Sequence, residues 1–236
     1  MQIAVLLNGY DSPYKPHIRE SFERAIRAAV ANGPILAPNI DFFDPIVEQT
    51  YPEAGKYDFI VLSGGTEDPM GSAPWVLKMQ EYLRTTVANY PKQKILGICW
   101  GHQTINVSFG GTIGDMDEAE LGVTDITLTE AGQRLLPFVK ERPLKMHEFH
   151  KREIKVPAPG FIALAEQSQA FLNDANTILT FQGHPELNSE LAAKMLDGMP
   201  SYMGVGVVQR EALKQNVTLE HDGIEIWRKI LTWVKA

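Results

Sequence analysis

Short aliphatic runs alternate with stretches of helical period through the first hundred residues. The run 3–7, Ile-Ala-Val-Leu-Leu, the run 57–62, apolar from Phe59 onward, and the run 95–98 each have the length and apolarity of a strand buried on both faces of a parallel sheet. Between the first two, Ile18, Phe22, Ala25, Ile26 and Ala29 recur at helical spacing. They predict a helix over 18–30, after a loop containing Asp11, Pro13 and Pro16. Residues 35–43 read as extended, Pro45 opens a short irregular or helical passage, and 74–87 predicts another helix. Past residue 98 the apolar positions Ile105, Val107 and Phe109 lie among polar ones up to Gly110 and Gly111, where a helix would stop.

The pattern changes at Thr112. Segments 121–128, 154–156 and 161–165 alternate partly with period two, separated by Pro143, Pro157, Pro159 and Gly160, and predict added antiparallel strands. Residues 177–181 form one more strand, which stops at Gln182-Gly183-His184-Pro185-Glu186; the tail from Asn188 is mostly helical, with an apolar face of Ile224, Trp227, Ile230, Leu231 and Val234. This alternation predicts an α/β fold in three layers: a mostly parallel central sheet with helices on both faces, plus a small antiparallel insert. Ligands of such sheets sit at the carboxyl ends of the strands. No repeat, low-complexity tract or long linker divides the chain, so residues 1–236 are expected to form one domain.

Composition narrows the function classes more than the fold. With 236 residues and 44% apolar content the chain can bury a substantial core. A net charge of −7 gives no electrostatic case for nucleic acid or an anionic membrane surface. The first residues lack a basic region and form too short an apolar run for a signal or a membrane span, and a cytoplasmic location is the default expectation. One cysteine excludes an intrachain disulfide framework.

That cysteine carries the chemistry. Gly97-Ile98-Cys99-Trp100-Gly101 has the spacing of a nucleophile elbow with sulfur in place of oxygen. The turn between strand and helix strains the backbone at the nucleophile, the flanking glycines remove Cβ atoms that would collide, and the helix start favours thiolate over thiol. His184 and Glu186, two apart in an extended segment, project to the same side, so that the carboxylate can fix the imidazole tautomer and leave the other ring nitrogen for the thiol. At another strand end, Gly64-Gly65 is a turn able to aim a backbone N–H at an oxyanion, with the N–H of Trp100 as second donor.

Ser63-Gly64-Gly65, then Gly97-Ile98-Cys99-Trp100-Gly101-His102-Gln103, then Gly183-His184-Pro185-Glu186, in this order over roughly the first 190 residues, resembles the class I (triad) glutamine amidotransferases. Within them the likeness is to the amidotransferase domain of GMP synthetase and to free-standing γ-glutamyl peptidases. The resemblance implies a flavodoxin-like sheet topology, a Cys99–His184–Glu186 triad, an oxyanion site at Gly65 and Trp100, and a substrate site that includes Gly64 and Gln103. GMP-synthetase-like members use a His-x-Asp pair against the ends of the glutamyl substrate; here the matching passage, residues 146–153, offers His147 and His150 for the histidine and no Asp at the expected distance. The resemblance implies no metal or other cofactor, and the His147/His150 pair has i, i+3 spacing in an unconvincing context for a metal.

The 236 residues contain no synthetase domain and no phosphate-binding G-x-x-x-x-G-K-[ST] loop. The expected activity is therefore hydrolysis of a γ-glutamyl amide, in glutamine or a γ-glutamyl peptide such as a glutathione derivative. The alternatives are a glutaminase subunit that delivers ammonia to a separate synthase partner and, third, a redox or carbonyl-processing protein with a cysteine elbow on a similar sheet. That last class does not need His184-Pro185-Glu186, and its partner carboxylate lies near the first strand, where this chain offers no obvious Glu.

Overall fold

In chain order the strands are β1 (Gln2–Leu6), β2 (Asn39–Phe43), β3 (Phe59–Leu62), β4 (Lys94–Ile98), β5 (Thr112–Ile126), β6 (Leu144–Val156), β7 (Phe161–Ala163), β8 (Ala170–Asn173) and β9 (Ile178–Phe181). The helices are α1 (Lys15–Val30), α2 (Pro74–Asn89), α3 (Trp100–Ser108), α4 (Glu130–Leu135), α5 (Ser189–Gly198), α6 (Val207–Asn216) and α7 (Gly223–Lys235). The computed structural model describes residues 1–9, 14–31, 33–198 and 207–236, so the loop expected around Asp11 and Pro13 lies outside the described residues.

Seven strands join in the order β2-β1-β3-β4-β9-β8-β7. The first five run parallel, and β8 and β7 add on antiparallel. The order 2-1-3-4 followed by a last parallel strand is the flavodoxin-like winding, in which the strand order reverses between β1 and β3.

Strand residues divide by parity between two cores. Ile3, Val5, Phe59, Val61, Leu96, Ile98, Leu179 and Phe181 face one side, where Phe22 and Ile26 of α1 and Trp227, Ile230 and Leu231 of α7 cover them. The Phe22 and Trp227 rings meet edge to face at 5.9 Å. Ala4, Leu6, Ile60, Leu62 and Ile95 face the other side, beneath Val76, Met79 and Leu83 of α2 and Trp100 and Ile105 of α3. Strands β1, β3, β4 and β9 are thus apolar at successive positions because both faces are covered.

The region after Thr112 differs in detail from expectation. Residues 121–126 of the segment 121–128, and segment 154–156, are the ends of two long strands, β5 of 15 residues and β6 of 13, paired antiparallel in a separate ribbon. Charged and polar residues across 114–120 and 147–153 conceal the strand pattern, because part of this ribbon buries polar groups. Residues 144 and 146–150 of β6 are buried. Strand β8 and helix α4 are too short to show a period; α4 is held at its start by Thr129 Oγ1, which accepts from Gly132 N at 3.2 Å.

Candidate active site

The elbow is where the sequence places it. Strand β4 ends at Ile98, α3 begins at Trp100, and Cys99 between them has φ 50° and ψ −102°. For a residue with a Cβ this backbone costs about 1–3 kcal/mol and is held only by its surroundings. The surroundings are tight: a methyl on Gly97 would stand 2.6 Å from Gly101 O, and one on Gly101 2.5 Å from Leu62 O. Both glycines are required by the close approach of α3 to its own strand and to β3.

Strands β4 and β9 are neighbours, pairing Ile98 with Phe181. The chain leaving β4 at Cys99 and the chain leaving β9 toward His184 therefore emerge side by side. A methyl built on Gly64 would lie 2.7 Å from His184 Cε1 and 3.6 Å from Cys99 Cβ. Side chains 85 positions apart in the sequence thus converge on the turn after β3. His184 Nδ1 is 2.8 Å from Glu186 Oε1, and the Ser21 hydroxyl of α1 holds the Glu186 backbone by donating to its carbonyl.

All three side chains are nearly closed off, Cys99 retaining 6% of its surface, His184 5% and Glu186 3%. Burial pulls the His184 pKa down, but the Glu186 carboxylate, the charge of Cys99 and hydrogen bonds to both outweigh it and hold the ring protonated well above its ordinary value. Glu186 engages Nδ1, so the other nitrogen is the one left for sulfur. The result is a thiol–imidazole–carboxylate row at the carboxyl edge of a parallel sheet.

Strand β6 crosses above this edge. His147 O accepts from His184 N at 2.8 Å, and Cys99 Sγ lies 3.9 Å from Phe149 O. His147 is fully buried, with no hydrogen-bond partner for either ring nitrogen among the described residues, and its ring centroid is 4.5 Å from that of His221. Burial and the neighbouring His221 and His184 push its pKa down to about 3, so the ring is neutral.

His150 takes the opposite state. Its Nδ1 is 3.0 Å from Arg152 O, and its Nε2 faces Glu120 Oε2 at 2.8 Å and Glu148 Oε2 at 3.2 Å. Burial lowers its pKa, but the two carboxylates outweigh this and bring it to about 10. The ligand atoms of Glu120, Glu148 and His150 lie within 4.8 Å of one another; the Nε2 proton is directed at Glu120, while Glu148 lies beside the cation with neither carboxylate oxygen hydrogen-bonded among the described residues. Burial pushes the Glu148 carboxyl up while His150 opposes the shift.

Gln103, one turn into α3, is buried and donates through Nε2 to Arg152 O at 2.8 Å and to Gln182 Oε1 at 3.0 Å. Gln169 Nε2 donates to Glu120 Oε2 at 2.7 Å, which ties β5 toward β8. Trp100 is fully buried, stacked on Trp75 at 4.8 Å, and its backbone N–H is one of the first-turn donors that lack an intrahelical acceptor. Gly65 follows β3 beside it. The sequence reading thus located Cys99, His184, Glu186, Gly64, Gly65, Trp100, Gln103, His147 and His150 around one sheet edge, and it missed Glu120, Glu148, Gln169 and Gln182. One signal was present: read as a strand, Met146-His147-Glu148-Phe149-His150 puts Glu148 and His150 on one face.

Fold and site together define an α/β protein with a cysteine elbow beside a histidine–carboxylate pair. Residues 18–198 match the model of the family described as glutamine amidotransferase class-I, and the chain belongs to that family. It is 41% identical over 200 residues to the glutamine amidotransferase-like protein chyE of Penicillium rubens, covering 83% of this chain and 82% of the relative. It is 28% identical over 164 residues to γ-glutamyl peptidase 3 of Arabidopsis thaliana, covering 64% of this chain and 65% of the relative. A crystal structure of a glutamine amidotransferase from Thermotoga maritima shares the fold at a TM-score of 0.74 and 14% identity, covering 99% of this chain and 98% of the other. No helix among the described residues is long and apolar enough to cross a membrane.

Proposed function

We propose that the protein is a cysteine-dependent γ-glutamyl hydrolase acting on the γ-amide of glutamine or of a γ-glutamyl peptide in the cytoplasm. The observation that carries the reading is the convergence of Cys99 and His184 on Gly64, with Glu186 behind the ring. The likeness to a γ-glutamyl peptidase supports hydrolysis.

In this mechanism the Cys99 thiolate attacks the γ-carbonyl carbon and forms a C–S bond while the carbonyl oxygen becomes an oxyanion held by the N–H groups of Gly65 and Trp100. His184 gives its proton to the departing nitrogen as the C–N bond breaks, leaving a γ-glutamyl thioester and a free amine. His184 then takes a proton from water, which attacks the thioester; the C–S bond breaks and glutamate leaves with the thiolate restored. Glu186 keeps the imidazole in the tautomer these transfers need. Gly64 gives the glutamyl chain room beside the sulfur, Gln103 steadies that end of the site, and His147 and His150 shape it from β6.

The test is glutamate release from glutamine, glutathione and a glutathione S-conjugate by the wild type and by Cys99→Ala. Release from at least one substrate by the wild type and from none by the variant is expected. Equal release by both proteins removes Cys99 from the mechanism, and release only after a synthase is added moves the reading to a dependent glutaminase subunit.

A further inference from the structure

We propose that Arg152 is a positioning residue that sets the direction of the Gly64–Gly65 turn from the β6 side. The inference rests on the reading above in one respect, that the Gly65 N–H faces a developing oxyanion.

A glycine pair resists rotation of its peptide units weakly, so the direction in which an N–H points there is decided by what holds the chain on either side. On the β3 side the hold is complete. Ser63 N donates to Leu6 O at 3.0 Å, Asn8 N donates to Ser63 Oγ at 2.9 Å, and Asn8 Nδ2 donates to Ser63 O at 3.1 Å. Gly65 itself packs so closely on the chain after β1 that a methyl there would stand 2.3 Å from Asn8 O.

On the far side the hold consists of two carbonyls and two donors. Arg152 Nη1 donates to Glu67 O at 3.1 Å and reaches Thr66 O at 3.4 Å, while the Trp100 indole Nε1 donates to Glu67 O at 3.0 Å. Trp100 is the residue that carries the second proposed oxyanion donor, so one carbonyl, Glu67 O, links both donors to Arg152. Arg152 is itself fixed. Its carbonyl accepts from Gln103 Nε2 at 2.8 Å and from His150 Nδ1 at 3.0 Å, and its Nε lies 3.8 Å from Asp115 Oδ1 on β5. A planar guanidinium with five N–H groups in a fixed fork can reach the two loop carbonyls and Asp115 of β5 at once; a lysine ammonium cannot span the same partners.

Without the guanidinium, Thr66 O loses its contact and Glu67 O keeps only the indole. The turn then relaxes on one side, and the penalty falls on the transition state, where the oxyanion exists, rather than on substrate binding.

The experiment compares wild type, Arg152→Gln and Arg152→Lys by three readouts. Amide hydrogen exchange over residues 63–67 is expected to accelerate at least about tenfold in Arg152→Gln while β3 and β4 are unchanged. Acylation of Cys99 by p-nitrophenyl acetate is expected to slow by about 10- to 50-fold in kcat with KM within about twofold, a fraction of the 10²–10³ typical of losing one oxyanion donor outright. Alkylation of Cys99 by iodoacetamide, which generates no oxyanion, is expected to stay within about twofold, and Arg152→Lys to fall between the other two proteins in acylation. Unchanged exchange over 63–67 overturns the proposal, as does an equal fall in alkylation and acylation, which would place the damage at the nucleophile. A wild type that releases no glutamate from any γ-glutamyl substrate overturns the functional reading instead and leaves the exchange and acetyl-transfer results to decide the role of Arg152.

Discussion

Two histidines near Cys99 each sit 2.8 Å from a glutamate oxygen, are almost fully buried, and are held protonated above the ordinary range. His184 stands at the end of β9 and His150 on the β5–β6 ribbon. The difference is the number of ring nitrogens already spent. Glu186 takes one nitrogen of His184 and leaves the other on the side of Cys99, whereas His150 gives Nδ1 to Arg152 O and Nε2 to Glu120, with Glu148 beside it at 3.2 Å. A ring with both nitrogens committed inside the protein has no proton to exchange with a substrate. Burial and a shifted pKa therefore mark both histidines, and only the nitrogen not taken by carboxylate or backbone separates His184, the proposed acid–base group, from the ion pair of His150.

The largest expected effect is a contrast between two substitutions. His184→Gln should lower kcat for γ-glutamyl hydrolysis by at least about 10³-fold in a protein that still folds. His150→Gln should leave kcat within about tenfold but cost about 3 kcal/mol or more in chemical denaturation, because Glu148 is left buried without its cation. Steady-state kinetics alongside urea unfolding measures both; a folded His150→Gln protein as inactive as His184→Gln would erase the distinction.

Next in size, Glu186→Gln is expected to lower kcat by about 10²- to 10⁴-fold through the wrong imidazole tautomer. Activity within a few-fold of wild type would show that the carboxylate only anchors the chain.

The smallest effect is in the pH dependence of stability. The folded pKa of His150 is about 10 against an ordinary 6.5. Its ion pairs therefore contribute fully below about 6.5 and are lost as pH rises through about 10. Thermal melts should drop by about 5 °C between pH 8 and pH 10.5 in the wild type, and by less in His150→Gln. Identical profiles would place the ionisation elsewhere.

How much of this was legible before folding differs between the same two regions. Around His184 almost everything was readable. The aliphatic runs that become β1, β3, β4 and β9, the glycines flanking Cys99 and the His184-Pro185-Glu186 spacing are local patterns, each recording one strand end, and a doubly covered parallel sheet brings its strand ends to one edge. Around His150 little was readable. Residues 146–153 look like a charged loop because Glu148 and His150 neutralise each other only once Glu120, thirty residues earlier, is folded across from them; β5 and β6 place Glu120 opposite His150 in register. Arg152, likewise, shows only charge in the sequence, and its carbonyl partners belong to a different loop.

The amino-acid order by itself determined the buried parallel strands and the side chains the elbow needs, because hydrophobic period and steric demand at glycine act over a few residues. Tertiary structure alone decided which histidine keeps a ring nitrogen clear of carboxylate and backbone and which acids are buried beside a cation. Those outcomes depend on distances and desolvation between groups far apart in the chain, and burial makes such interactions strong.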